Sequence, residues 1–158
     1  RAAVGDSKDP RAVYEMGLLY AAQAWWSEAA SSFTQALERD GSYANAYIWR
    51  GRVRQAESKH QEALSDFAAA IQIDAEDPEA HYYSGQSQAA LGRPGQAIEA
   101  YTTAVGLDDE FAAAYLARGL LYKAQSQGDR ARADLQRVLD LSADPALLRQ
   151  ARLGLEGL

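Results

Sequence analysis

The 158 residues contain no cysteine, which excludes a disulfide framework, a thiolate metal site and a cysteine nucleophile. The same absence leaves the redox compartment open. Basic charge is also scarce: 16 lysines and arginines face 22 acidic residues, for a net charge of −6. Nucleic acid and anionic membrane surfaces both demand a basic footprint, so neither is expected as a partner. No apolar run approaches the roughly 20 residues of a membrane-spanning helix, and no signal-like segment stands out. The expectation is a soluble chain without direct membrane insertion, with the cytoplasm favoured over the periplasm. Because the first residue is Arg1 and not methionine, a piece of a longer protein is expected.

What is present is a repeat. Gly17, Gly51, Gly85 and Gly119 are spaced by 34 residues. Twelve residues after each glycine stands an alanine (Ala29, Ala63, Ala97, Ala131), and four further on a large apolar residue (Phe33, Phe67, Tyr101, Leu135). A small residue follows three beyond that: Ala36, Ala70, Ala104 and Val138. Each period holds two apolar-periodic segments separated by a short break, which is the signature of a helical hairpin. First helices are expected near 10–23, 44–57, 78–91 and 112–125, and second helices near 26–39, 60–73, 94–107 and 128–141. Asp9-Pro10, Asp77-Pro78 and Asp144-Pro145 each supply a carboxylate N-cap followed by proline at the first helical position. In the third period, Gly92 is placed to end the first helix in a left-handed conformation. A glycine inside a helix costs about 1 kcal/mol relative to alanine, so a compensating contact is expected. The candidate is close approach of the second helix at the matching alanine.

These residues resemble the tetratricopeptide repeat family in the 34-residue unit, the glycine, the alanine twelve on and the aromatic sixteen on. The resemblance covers residues 10 to about 143. It implies an all-α fold, a right-handed α-solenoid of antiparallel helix-turn-helix repeats. The expected organisation is 1–9 as a linker or remnant of a preceding repeat, repeats at 10–43, 44–77, 78–111 and 112–144, and a capping helix at 145–158. For that last helix the apolar set is Leu148, Ala151, Leu155 and Leu158. Departures from the pattern are Arg54 and Gln88, where Tyr20 and Tyr122 show the usual aromatic, and Gly41 and Ala75, where an inter-repeat proline is common.

Arginine and aspartate travel together. Arg50 and Arg118 precede their glycines, and the same two repeats carry Asp66 and Asp134 fifteen residues after the glycine. The other repeats have Met16 with Ser32 and Ser84 with Ala100, so an ion pair within each hairpin is expected. In the family's stack the first helices line a concave groove. The positions three before, two before and one after each glycine then give Tyr14, Glu15 and Leu18; Ile48, Trp49 and Arg52; Tyr82, Tyr83 and Gln86; and Leu116, Ala117 and Leu120. An apolar, aromatic strip with one cation fits a protein or peptide partner with apolar side chains and an acid near Arg52. One subclass of the family clamps a terminal carboxylate with lysine, asparagine and arginine. Tyr14, Leu18, Trp49, Glu79 and Tyr83 stand at the corresponding positions, so the resemblance implies no such clamp.

His60 and His81 are the only histidines. His81 falls in register with Val13, Tyr47 and Tyr115, which marks packing, and His60 sits at a helix start beside Lys59. Neither belongs to a metal spacing, phosphate loop or nucleophile–base set, so no enzyme, cofactor or metal site is expected. Trp26 takes a turn position. Trp25 is left as an exposed contact or a second surface. The functional expectation is a binding scaffold that holds a partner peptide or helix in its groove. The alternative is a self-assembly module that stacks with copies of itself or with further repeats of a longer protein.

Overall fold

The computed structural model describes residues 9–158; most of the expected N-terminal linker, residues 1–8, lies outside the described residues. Among those residues there are nine α-helices and no strand. The first helices are α1 (Pro10–Ala22), α3 (Ala44–Ala56), α5 (Pro78–Ala90) and α7 (Ala112–Ala124). Their partners are α2 (Trp26–Arg39), α4 (His60–Ile73), α6 (Pro94–Leu107) and α8 (Gly128–Leu141), and α9 spans Pro145–Leu155. Each second helix has the expected bounds, and each first helix ends one residue early.

Local chemistry explains these bounds. Asp9, Asp77 and Asp144 accept from the backbone N–H groups of Arg11 (2.9 Å), Glu79 (2.8 Å) and Ala146 (2.8 Å). Each of these bonds satisfies an amide that the first turn of a helix leaves without a partner. First helices end on left-handed residues at Ala24, Ser58, Gly92 and Ser126, with φ of 58–71°. The conformation anticipated for Gly92 thus recurs every 34 residues. The amides of Trp25, Lys59, Arg93 and Gln127 then reach back to the carbonyls of Tyr20, Arg54, Gln88 and Tyr122, closing each helix in a Schellman turn. No proline is needed between repeats. Asp40, Asp74 and Asp108 instead accept from the amides two residues on, and such Asx-turns redirect the chain.

The chain divides after Glu76 into two compact units. In the first, α1 pairs with α2 and α3 with α4, while α2 also packs on α3. The second repeats this plan with α5 to α8 and adds α9 against α7 and α8. Phe33, Phe67 and Leu135 are fully buried and Tyr101 nearly so, and the second helices also bury Ala29, Ala36, Ala63, Ala70, Ala97, Ala104 and Ala131.

The contact that compensates the glycines differs from the expected one. A Cβ at Gly17 would lie 2.6 Å from the Phe33 ring, at Gly51 2.5 Å from Phe67 and at Gly85 2.6 Å from Tyr101. The aromatic sixteen residues on, and not the alanine twelve on, lies against the helix where a side chain would stand. Filling that space with a ring restores close packing and offsets the propensity cost.

The apolar face of α9 also needs correction. Ala151 and Gly154 are buried, and Leu147, Leu155 and Leu158 pack on the cluster of Leu116, Leu135 and Val138. Leu147 sits one turn before Ala151 and takes the place expected of Leu148, which turns to the outer side of the helix.

Candidate functional site

The glycine of each first helix points at its second helix, and this fixes where every neighbouring side chain goes. At about 100° per residue, the position three before the glycine lies only about 60° from that direction, whereas the position two before lies about 160° away. Tyr14, Ile48, Tyr82 and Leu116 therefore turn inward. Ile48 is 2% and Leu116 5% exposed. The Tyr14 ring packs on Phe33 at 5.6 Å and Tyr43 at 4.9 Å, and the Tyr82 ring on Tyr101 at 5.8 Å and Phe111 at 4.9 Å. For Ile48 and Leu116 the expectation of a groove position is corrected: they are buried packing residues. Tyr14 and Tyr82 are half-buried, each packed on core rings with part of its side chain accessible.

The remaining candidates stay accessible. Leu18, Trp49, Arg52, Tyr83 and Gln86 are half-buried and Leu120 is exposed. Tyr83 sits edge-on to Tyr82 at 5.2 Å, and the Gln86 side-chain N–H donates to the Tyr82 hydroxyl at 2.9 Å. In the first unit, Trp49 stacks on Phe33 at 6.4 Å, while the Arg52 guanidinium lies 3.8 Å above the indole, within cation–π range. Leu18, Ala21 and Ala22 of α1, Trp26 of α2 and Trp49, Arg52, Val53 and Ala56 of α3 enclose a cavity of about 250 Å³. Apolar walls with a cation at the rim suit one apolar side chain next to an acidic group. Trp26 joins the core cluster beneath this cavity. Trp25 is half exposed and stacks on Tyr20 at 5.8 Å.

The arginine–aspartate pairs form as the sequence indicates. Arg50 Nη2 donates to Asp66 Oδ1 at 2.7 Å, and its Nε lies 3.2 Å from both carboxylate oxygens. Arg118 grips Asp134 with Nε and Nη2, both at 2.8 Å. These bonds raise the affinity of the Arg118 guanidinium for its proton above the ordinary value. The sequence reading missed their other partners. Arg54 Nη1 donates to the second oxygen of Asp66 at 2.7 Å, so the substitution of an aromatic at 54 supplies a further cation. Arg50 and Arg118 also reach Thr34 at 3.1 Å and Thr102 at 3.0 Å in the preceding hairpins. The signal was available: threonine stands sixteen residues before each of these arginines and is replaced by Ala68 in the intervening repeat. Both arginines are thereby engaged in holding hairpins together.

His60 lies at the first turn of α4, where its Nδ1 is buried without a hydrogen-bond partner, and His81 is half-buried in α5. Among the described residues no three histidine or carboxylate side chains gather into a group able to hold a metal ion, and no helix is long and apolar enough to cross a membrane.

Comparison with known proteins gives the family. No curated protein matches the chain. The solved structure of MamA, residue 41 to the end, from Desulfovibrio magneticus RS-1 is 23% identical, with a TM-score of 0.77 over 85% of this chain and 76% of that one. YrrB, described as a TPR protein with an unusual peptide-binding site, is 22% identical, with a TM-score of 0.76 over 94% and 77%. The first TPR of Spaghetti (RPAP3), bound to the HSP90 peptide SRMEEVD, is 21% identical, with a TM-score of 0.74 over 77% and 96%. At these identities the likeness is one of fold. The family model for the tetratricopeptide repeat matches residues 14–81, 56–110 and 82–147; with the helical hairpins and their ring-filled glycines, this establishes that the chain belongs to the tetratricopeptide repeat family, an all-α solenoid fold that serves as a scaffold for protein interaction.

Proposed function

We propose that the chain binds a partner peptide or helix along the accessible face of its first helices, the groove side of the family's fold, and that the Trp49 cavity is the anchor. The observation that carries this reading is the cavity itself, where apolar walls from α1, α2 and α3 meet a guanidinium lying on the indole. An apolar partner side chain enters it, and an adjoining acidic group reaches Arg52. Leu18 contributes a wall, while Tyr83, Gln86 and Leu120 are proposed contacts in their own right on the second unit. Tyr14, Glu79 and Tyr83 take clamp positions of the terminal-carboxylate binders, so an internal segment is favoured over a chain terminus. No catalytic step is proposed. The repeat boundaries proposed with this reading are 10–43, 44–77, 78–111 and 112–144, with 145–158 as the capping segment.

The test is capture of partners by the wild-type chain and by Trp49→Ala, followed by titration of the captured segment. Truncating an interface tryptophan commonly costs about 2 kcal/mol or more, which is roughly thirtyfold in affinity. Because Trp49 also packs on Phe33, Trp49→Phe is measured beside it to separate lost binding from lost stability. Unchanged affinity in both variants would remove the anchor.

A second reading is favoured by one observation. Met16, Leu19 and Trp25 of the first hairpin are 48%, 65% and 50% exposed, a surface suited to association with copies of the chain or with further repeats. Sedimentation over a range of concentrations, compared with Leu19→Glu/Trp25→Glu, separates this from groove binding.

A further inference from the structure

The outer side of α9 carries chemistry that neither reading uses. Pro145, Leu148, Arg149, Arg152 and Leu153, all on α9, border an open surface hollow of about 390 Å³, and Leu153 is 56% exposed. The other side of the helix is committed to the core, since a Cβ at Gly154 would lie 2.9 Å from Leu135. With Pro145 aligned to Pro78, Arg152 occupies the position that is glycine in the other first helices. Those glycines admit a ring or leucine of the second helix against the backbone; the arginine stem closes that route. The outer side of α9 therefore offers two guanidiniums one turn apart, with leucines beside them.

Arg11, Arg50, Arg54, Lys59, Arg118 and Arg132 have carboxylates within ion-pair distance, and Arg39, Lys123, Arg130 and Arg137 donate to carbonyl or amide oxygens; among the described residues Arg149 and Arg152 have no carboxylate within that distance. Both are exposed, on a chain whose net charge is −6. We propose that this face docks an acidic amphipathic helix of a partner protein. Small or leucine-sized residues meet Leu148 and Leu153, and carboxylates one turn apart meet Arg149 and Arg152. The occupant is a helix because the hollow lies along one helix of 11 residues, and residues three or four apart on a facing helix match the spacing of the arginines. It is not a second copy bound through the same face, because a twofold axis there would bring four arginines together without an acid.

The probe is a synthetic peptide of about 18 residues, long enough to hold a helix, with a leucine stripe flanked by glutamates. A counterpart has lysine at every glutamate. Each is titrated into the whole chain by fluorescence anisotropy at two salt concentrations. The glutamate peptide is expected to bind more weakly at high salt. Arg149→Glu/Arg152→Glu should weaken it by about tenfold or more, and Leu153→Ser should weaken it without changing the salt dependence. The exposure of all three residues keeps the variants folded, which their melting curves check. Equal affinity for wild type and Arg149→Glu/Arg152→Glu would overturn the proposal, as would equal binding of the lysine peptide or no binding at about 1 mM. Loss of binding in Trp49→Ala alone would assign the peptide to the groove instead. Self-association without peptide that disappears in Arg149→Glu/Arg152→Glu would assign the face to a second copy.

Discussion

The two compact units are built to one plan offset by 68 residues, yet they satisfy the same buried charge differently. Tyr14 on Tyr43 and Tyr82 on Phe111 have the same 4.9 Å separation, with interplanar angles of 44° and 46°. Arg50 joins Thr34 to Asp66 as Arg118 joins Thr102 to Asp134. The plans part at the next turn of the first helix. There the first unit has Arg54, a second cation on Asp66, and the second unit has Tyr122, whose ring receives Arg118 at 5.8 Å and Arg130 at 5.7 Å. One buried carboxylate thus has two guanidinium partners and the other has one. The lesson is that the helical spacing sets where charge is buried, while a single residue on the neighbouring turn sets how robustly it is paired.

The largest effect should come from α9, which only the second unit possesses. Deleting residues 145–158 uncovers Leu116, Leu135 and Val138 and should cost about 3 kcal/mol or more, lowering the melting temperature by roughly 6–12 °C. Hydrogen exchange should show the loss in α7 and α8 and spare α1 to α4. An unchanged melt would deny α9 any stabilising role.

The charge comparison is sharpened by two leucine substitutions. Arg118→Leu strands Asp134, which is nearly buried, and should cost about 3 kcal/mol. Arg50→Leu leaves Asp66 paired with Arg54 and should cost nearer 1–2 kcal/mol. Adding Asp134→Ala to Arg118→Leu should recover part of its loss. Denaturant titration of wild type, Arg118→Leu, Asp134→Ala and the double variant measures the coupling, and equal costs for the two arginines would break the comparison.

Gly51→Ala and Gly119→Ala probe the ring contact. A Cβ meets the Phe67 ring at 2.5 Å in the first unit but nothing nearer than 3.1 Å in the second, where leucine replaces the aromatic. Gly51→Ala should cost about 1–3 kcal/mol through overpacking. At Gly119, the gain in helix propensity of about 1 kcal/mol should bring the change close to neutral in thermal melts. Among the changes expected to destabilise, the threonines come last. Thr34→Val and Thr102→Val each remove one hydrogen bond, about 0.5–1.5 kcal/mol, with the larger cost at the more buried Thr34. Identical melting temperatures for wild type and Thr34→Val would show that the link between hairpins contributes nothing.

Much of the proposed binding face was legible one position at a time. Trp49 and Arg52 were selected from their distance to Gly51, and the structure places the guanidinium on the indole. Ile48 and Leu116 were assigned to the same face but are buried. Residue type does not distinguish an apolar side chain that packs inward from one that faces out; the angle from the glycine does. Arg54 and the two threonines were overlooked because their partners lie on another helix or another hairpin.

What the sequence determined by itself is periodic and local. Glycine spacing, carboxylate N-caps and the alternation of apolar faces fix the hairpins, because each acts within one or two helical turns. The arginine–aspartate pairs were also readable, since both members recur in the same repeats. Only the tertiary structure decided that a ring fills the space at Gly17, Gly51 and Gly85, that Leu147 and not Leu148 joins the core, and that Asp66 has two cations where Asp134 has one. Those outcomes depend on the direction of side chains across a helix interface, where a rotation of about 100° per residue separates a buried residue from an exposed neighbour.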